Sequence, residues 1–327
     1  MSSASATSPS RGTAARSGSV PRHQWIAFAL MAGLFAAAPL VVYPVFLMKV
    51  MCFALFACAF NLLLGFGGLL SFGHAMFLGT AGYAAAHAAK AWSFTPELAI
   101  LFGTGCSVLL GWLAGLLAIR RQGIYFAMIT LALAQMVFFF YLQAPFTGGE
   151  DGIQAVPRGS LLGVIDLADP TAMYVFVLAV FLAGFALIHR VIHSPFGAVL
   201  TAIRENEPRA ISLGYATDHY KLIAFVLSAA LAGLAGGTKA LVTQLAVLGD
   251  AHWTVSGQVV LMTLIGGLGR YTGPVVGAFV FAALDFYLGK LGGGWVTIVE
   301  GGVFVICVLA FRQGIMGKLS ERLRQPL

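Results

Sequence analysis

Long apolar runs follow one another along almost the whole chain, separated by short polar or glycine-rich breaks. Ten are legible, at 25–44, 46–66, 71–91, 97–119, 123–142, 171–189, 221–247, 254–269, 272–290 and 295–312. About 20 apolar residues suffice for a helix to cross a hydrocarbon layer. None of the runs alternates apolar and polar positions as a barrel strand does, and a helix satisfies its own backbone hydrogen bonds in lipid. The pattern predicts an all-α fold, a polytopic transmembrane helical bundle of about ten spans. The run at 254–269 is short for a crossing, so a tilted, broken or partly re-entrant path is expected there.

Two connections are longer than the rest. Residues 143–170 contain Thr147, Gly148, Gly149, Glu150, Asp151 and Gly152 in succession, then Asp166 and Asp169. Residues 190–220 contain the mixed-charge cluster Arg204, Glu205, Asn206, Glu207, Pro208 and Arg209. In this second connection Pro195 to Gly197 ends the sixth span, and a short helix follows over 198–213 with a break at Pro208. On composition alone it is either a docking surface for a soluble partner or an ordinary solvated loop.

Composition sharpens the membrane assignment. Of 327 residues 59% are apolar and 9% charged, against about one-quarter charged in soluble domains. Little length remains for a separate catalytic or nucleotide-binding domain. The net charge of +7 does not indicate nucleic acid, because the bases punctuate the apolar runs instead of forming a patch. They read as orientation charges at the cytoplasmic surface. With the N-terminus inside, fourteen bases fall on the inner side: Arg11, Arg16, Arg22, Arg120, Arg121, Arg190, Arg204, Arg209, Lys221, Arg270, Arg312, Lys318, Arg322 and Arg324. Five fall outside, Lys49, Lys90, Arg158, Lys239 and Lys290. Both termini are therefore expected in the cytoplasm, with 143–170 outside and 190–220 inside. Residues 1–24, rich in Ser and Ala and free of acids, read as a disordered cytoplasmic tail, 25–312 as the membrane domain and 313–327 as a second cytoplasmic tail.

Candidate chemistry is sparse. The chain contains no G-x-x-x-x-G-K-[ST] phosphate loop, H-E-x-x-H zinc motif or G-x-S-x-G nucleophile elbow, so neither ATP hydrolysis nor a familiar hydrolase mechanism is supported, and no catalytic or metal-binding set is assigned. Cys52, Cys58, Cys106 and Cys307 lie in apolar stretches without a C-x-x-C pair and read as small apolar fillers. His189 and His193 are spaced for a metal, yet their place at the inner end of the sixth span favours a helix-end role. His74 and His87 have no carboxylate or thiolate nearby in sequence.

Polar groups within spans carry functional expectations because lipid penalises them. Asn61, Thr130 and Gln135 are the candidates for a translocation path. Asp285, five residues before Lys290, reads as a snorkelled pair, and Glu300 lies in the outer third of the tenth span. Glycines four apart, Gly111/Gly115, Gly269/Gly273 and Gly273/Gly277, predict close helix contacts. The cluster Gly65, Gly67, Gly68 and Gly73 predicts a turn between two spans.

Five stretches, in order, resemble the permeases of branched-chain amino-acid ABC importers, in particular the LivM-like member of the permease pair. They are Asn61 to Tyr83 (NLLLGFGGLLSFGHAMFLGTAGY), Gly123 to Gln135 (GIYFAMITLALAQ), Thr147 to Ile153 (TGGEDGI), Arg204 to Gly237 (RENEPRAISLGYATDHYKLIAFVLSAALAGLAGG) and Leu261 to Gly277 (LMTLIGGLGRYTGPVVG). The resemblance implies a subunit of the bacterial cytoplasmic (inner) membrane that pairs with a similar permease, two cytoplasmic ATPases that bind ATP and Mg, and a periplasmic substrate-binding protein. This chain would itself hold no cofactor. The resemblance also implies that the loop around 195–214 inserts into a groove on the ATPase, with Arg204, Glu205, Glu207, Arg209, Ala210 and Gly214 in the coupling region. The family's E-A-A-x-x-x-G pattern is imperfect: Ala210 and Gly214 fit, Pro208 and Arg209 replace its opening residues, and Glu207 lies one place early. Related permeases share these motifs, so urea or short amides remain an alternative cargo. From a different class, a self-sufficient secondary transporter would require an embedded charge relay.

Overall fold

The computed structural model describes residues 22–40, 42–161, 163, 165–289, 298–299, 301–302, 305 and 314–317. Most of the tenth apolar run, with Glu300 and Lys290, and the terminal tails at 1–21 and 318–327 lie outside the described residues.

Each of the first nine apolar runs contains one helix. These are α1 (Arg22–Ala37), α2 (Pro44–Asn61), α3 (His74–Ala91), α4 (Pro96–Ala118), α5 (Ile124–Gln143), α6 (Pro170–Ile192), α9 (Thr217–Thr243), α10 (Trp253–Gly266) and α11 (Gly273–Gly289). Two further helices, α7 (Pro195–Glu205) and α8 (Glu207–Ser212), form the connection before α9. Proline opens α2, α4, α6 and α7, where its missing N–H leaves no intrahelical bond unmade. Asp169 caps α6 by accepting from the Thr171 N–H at 3.2 Å. The α1 helix stops well short of residue 44, because Pro39 follows in a 3-10 turn at Ala38–Leu40.

Five helices are long and apolar enough to cross a membrane; α10 and α11 are shorter. Burial sorts the long ones. The apolar window of α2, which continues through a π-helical turn to Phe66, is 83% buried and that of α9 is 67% buried, against 33% for α4 and α5 and 39% for α6. The α9 helix packs along α4, α3 and α2, so α2, α3 and α9 form the centre. The outer helices leave Leu101, Leu109 and Leu117 of α4 and Met128, Met136 and Phe139 of α5 exposed. Such apolar faces are stable in lipid and would aggregate in water. Close approach underlies the centre: a Cβ on Gly236 of α9 would fall 2.1 Å from the Leu78 carbonyl of α3, and one on Gly277 of α11 would fall 1.8 Å from the Met262 carbonyl of α10. Of the glycine pairs anticipated in sequence, Gly111 and Gly115 face Ala229, Leu222 and Phe225 of α9.

The two ends of the bundle differ in charge. Residues 193–216 share one end with the α2–α3 connection and the α10–α11 turn, brought together by Arg204, Gly65 and Gly269. The opposite end gathers 144–169, Lys90 and the segment after α9. Phe28 stacks on Phe185, and the Tyr174 hydroxyl donates to the Phe35 carbonyl. The α1 helix is therefore antiparallel to α6 and starts at the 193–216 end.

Three local features depart from the plain helical expectation. Two short antiparallel ribbons occur at the 144–169 end. In the first, β1 (Ile153–Gln154) pairs with β4 (Leu245–Ala246); in the second, β2 (Ser160–Leu161) pairs with β3 (Ile165–Asp166). Pro195 starts a helix instead of ending one, and the break anticipated at Pro208 falls two residues earlier. Asn206 (φ −157, ψ 92) separates α7 from α8 and caps α8 by accepting from the Arg209 N–H at 3.0 Å. Finally, α9 ends at Gln244 (φ 54) and the chain folds back through β4 and a 3-10 turn, Leu248–Ala251. Ala251 meets Gly79 of α3, and the Ala75 N–H donates to Ser256 Oγ at 2.9 Å. The α10 helix therefore begins inside the bundle, which is why the eighth apolar run is short.

Candidate functional site

The 190–220 connection is tied to the bundle through one small hub. The Arg204 guanidinium on α7 donates to the Gly65 carbonyl in the π-helical turn of α2. Its aliphatic stem lies over Gly68. Asn61, one turn before Gly65, accepts from the Gly269 N–H and donates from Nδ2 to the Arg270 carbonyl, each at 3.0 Å. Asn61 is 3% exposed; its amide serves the α10–α11 turn and does not face open space. Three chain segments thus meet on Gly65, which admits no side chain: a Cβ there would lie 2.3 Å from Asn61 Oδ1 and 2.7 Å from the Gly269 nitrogen. The π turn creates this meeting by shifting the helix register at its end.

A second tie joins α8 to α9. Lys221 Nζ donates to Glu207 Oε1 at 2.5 Å, with the lysine side chain 3% and the glutamate 16% exposed. Removing one partner of a buried pair leaves an uncompensated charge, whereas replacing both does not. Lys221→Met is therefore expected to lower the stability of the purified protein by about 3–5 kcal/mol. The double variant Lys221→Met/Glu207→Gln should recover most of that loss. Thermal unfolding of both in detergent checks this, and equal melting temperatures for the single and double variants would refute it. Of the remaining residues anticipated in the loop, Glu205 and Arg209 are exposed, Ala210 is buried, and Gly214 (φ +89) follows α8.

The structure separates the residues anticipated for a path. Thr130 is buried and donates to the Ala127 carbonyl of its own helix at 2.9 Å. It faces Gly73, where a Cβ would be 2.6 Å from the Thr130 carbonyl. Gln135 is half-buried further along α5, and Asp285 is exposed on α11. His74, buried in a cage of Phe60, Phe77 and Phe225, holds α3 to α9 and α2. Ser228 Oγ donates to the Ala59 carbonyl at 2.5 Å, so His74 Nε2–H must be the donor across the 2.7 Å contact to Ser228. The His189 and His193 rings lie 4.3 Å apart at the end of α6, beside Tyr271.

At the opposite end, the run from Thr147 to Gly152 forms a tight turn. Thr147 is buried and its hydroxyl lies 2.6 Å from both the Tyr141 and Ala144 carbonyls. Glu150 and Asp151 are exposed, while Gly148, Gly149 and Gly152 all have positive φ. A cavity of about 320 Å³ opens beside the turn, lined by His87, Lys90, Phe146, Gly148 and Gly152 among others. Gly152 is the most constrained: at φ +67 its Cβ would stand 2.1 Å from the Ala246 carbonyl. Gly152→Ala is expected to break the β1–β4 pairing and destabilise the protein by about 2 kcal/mol or more. An unchanged melting temperature in that variant would contradict the assignment.

Sequence reasoning missed an ion pair packed among the helices one turn inside the 144–169 end. Lys239, counted there among outer orientation charges, lies within α9 and its Nζ donates to Asp250 Oδ1 on the re-entrant turn. The ammonium sits 5.0 Å from the Phe53 ring centroid, at the midpoint of α2. Lys239 interrupts an otherwise apolar stretch of α9, and that was the available signal. Its partner, eleven residues on, could not be identified without the chain reversal.

The family described as branched-chain amino acid transport system / permease component matches residues 42–308. The high-affinity branched-chain amino acid transport system permease protein LivM of Salmonella typhimurium is 24% identical over 302 residues, covering 84% of this chain and 70% of that protein. The ribose import permease protein RbsC of Bacillus subtilis is 28% identical over 233 residues, covering 67% of this chain and 69% of its own. A probable branched-chain amino acid permease, LivH of Methanocaldococcus jannaschii, is 25% identical over 160 residues, covering 46% of this chain and 50% of its own. No solved structure matches.

Proposed function

Since the chain belongs to the permease components of branched-chain amino acid transport systems, a family of multi-pass ABC-transporter membrane subunits, we propose that it forms half of the translocation pathway of an ATP-driven importer for branched-chain or related hydrophobic amino acids. The observation that carries the cargo is the LivM similarity, which extends over 84% of the chain, further than the ribose permease similarity. In this reading the partners are a second homologous permease, two cytoplasmic ABC ATPases that hold ATP and Mg, and a periplasmic substrate-binding protein, all at a bacterial inner membrane. The excess of bases at the 193–216 end supports placing that end in the cytoplasm.

Coupling then has a physical route. ATP-driven closure of the ATPases displaces α7 and α8. The Arg204 contact carries the displacement to the end of α2 and, through Asn61, to the α10–α11 turn; the Glu207–Lys221 pair carries it to α9. The acidic turn at 147–152 faces the binding protein. Such a subunit needs two arrangements whose balance nucleotide biases at one end and loaded binding protein at the other. The experiment is reconstitution of the full complex in proteoliposomes with its binding protein. ATP-dependent leucine uptake is expected; uptake of ribose or urea with none of leucine would overturn the cargo, and uptake by this chain alone under an ion gradient would overturn the mechanism.

A further inference from the structure

We propose that Lys239 and Asp250, one turn inside the 144–169 end of the bundle, form a recognition site for the charged ends of an α-amino-acid zwitterion. The proposal rests on the amino-acid reading above and assigns that cargo a place in this chain.

The pair lies one turn inside the 144–169 end: Lys239 is four residues before the last residue of α9, and Gly237 of α9 is level with Ile100 in the first turns of α4. Lys239 Nζ stands over Phe53 of α2, and its neighbour Ala240 lies against Gly82 of α3. Charges packed among apolar helices are retained where they act on a substrate or hold each other. This pair holds itself incompletely. An ammonium has three donors and a carboxylate about four acceptor positions, yet among the described residues Lys239 makes one side-chain hydrogen bond, to Asp250, and the carboxylate accepts that one alone. Both side chains keep some access, 12% and 20% exposed. The Lys221–Glu207 pair near the other end is more tightly sealed on its lysine side, at 3%.

The spare bonds match an amino acid's backbone. Its carboxylate would take the free N–H groups of Lys239 and its ammonium the free oxygen of Asp250. The four charges sum to zero, so the exchange adds no net charge to the bundle. Tyr83 offers a further donor: its hydroxyl is buried, has no hydrogen-bond partner among the described residues, and lies within electrostatic reach of Asp250. Beside the pair, Gly249 faces open space and Phe53 and Leu248 are half-buried, leaving apolar surface for an aliphatic side chain. A sugar or urea carries no formal charge to compete for either partner.

The competing role is a latch that holds the re-entrant turn against α9. Two double variants in the complete reconstituted importer separate these roles. Lys239→Gln/Asp250→Asn keeps a hydrogen bond across the latch, and Lys239→Asp/Asp250→Lys keeps an ion pair of reversed sense. With assembled-complex yield and melting temperature measured alongside, both are expected to assemble as the native chain does and to move at least about tenfold less leucine per ATP hydrolysed, a loss equal to about 1.4 kcal/mol. Tyr83→Phe should lower the same ratio about threefold, as expected for loss of one weak hydrogen bond. Leucine transport within about twofold of wild type in either double variant would overturn the site, as would failure of both to assemble, which would make the pair a latch. Wild-type complex that carries ribose or urea and no amino acid would instead overturn the cargo reading, and the zwitterion site with it.

Discussion

Gly65→Leu is expected to abolish uptake and to reduce the yield of folded protein sharply. The position sits where the π-helical end of α2, the Arg204 side chain and the α10–α11 turn converge. Any side chain displaces Asn61 Oδ1 and the Gly269 backbone. That breaks the two hydrogen bonds that hold the turn and leaves buried polar groups unpaired, at about 1–3 kcal/mol each. Overpacking adds about 1–3 kcal/mol, so a total of about 3–9 kcal/mol is expected, much or all of the stability of a typical domain. Asn61→Leu removes the same bonds without the clash and should produce a milder defect. Melting temperature and leucine uptake of the two variants test this; a Gly65→Leu protein that unfolds and transports normally would refute the hub.

Charge reversal at two arginines of the 190–220 connection should have two different effects, although in sequence they look equivalent. Both arginines are exposed, but the Arg204 guanidinium reaches back to the Gly65 carbonyl, whereas at Arg209 it is the backbone N–H that is held, by Asn206. Arg204→Glu loses a charge-assisted hydrogen bond, worth about 1–1.5 kcal/mol where the side chain is exposed to solvent, and places a carboxylate against a carbonyl. It should therefore lower the melting temperature of the isolated permease and weaken ATPase stimulation about tenfold or more, as loss of that contact implies. Arg209→Glu should leave the isolated protein within about 0.5 kcal/mol of wild type and impair only ATPase docking. Calorimetry on the permease alone and hydrolysis by the complex separate the two. Equal melting temperatures for Arg204→Glu and wild type would remove the mechanical link from α7 to α2.

Several site features were visible in the sequence because their causes are local. A short helix with a break near Pro208 is expected in the 190–220 connection, and α7 and α8 are separated there, at Asn206. The turn at 147–152 declares itself through three glycines within six residues, and the structure puts each at positive φ. Asn61 stood out as a polar residue in an apolar run, but its partners lie 208 and 209 residues away. Nothing near position 61 could have shown that its amide holds a distant turn.

The chain by itself determined that the protein is a bundle of apolar helices and where most of them start and stop. Lipid admits few other ways to satisfy a backbone, and prolines, caps and glycines act within a turn of their own position. Only the tertiary structure decided that α10 begins inside the bundle, that Lys239 faces Asp250 and that Gly65 carries three segments. Each depends on contacts between distant segments or on a chain reversal, and a one-dimensional pattern of apolar and polar residues carries no record of which remote partner satisfies a polar group.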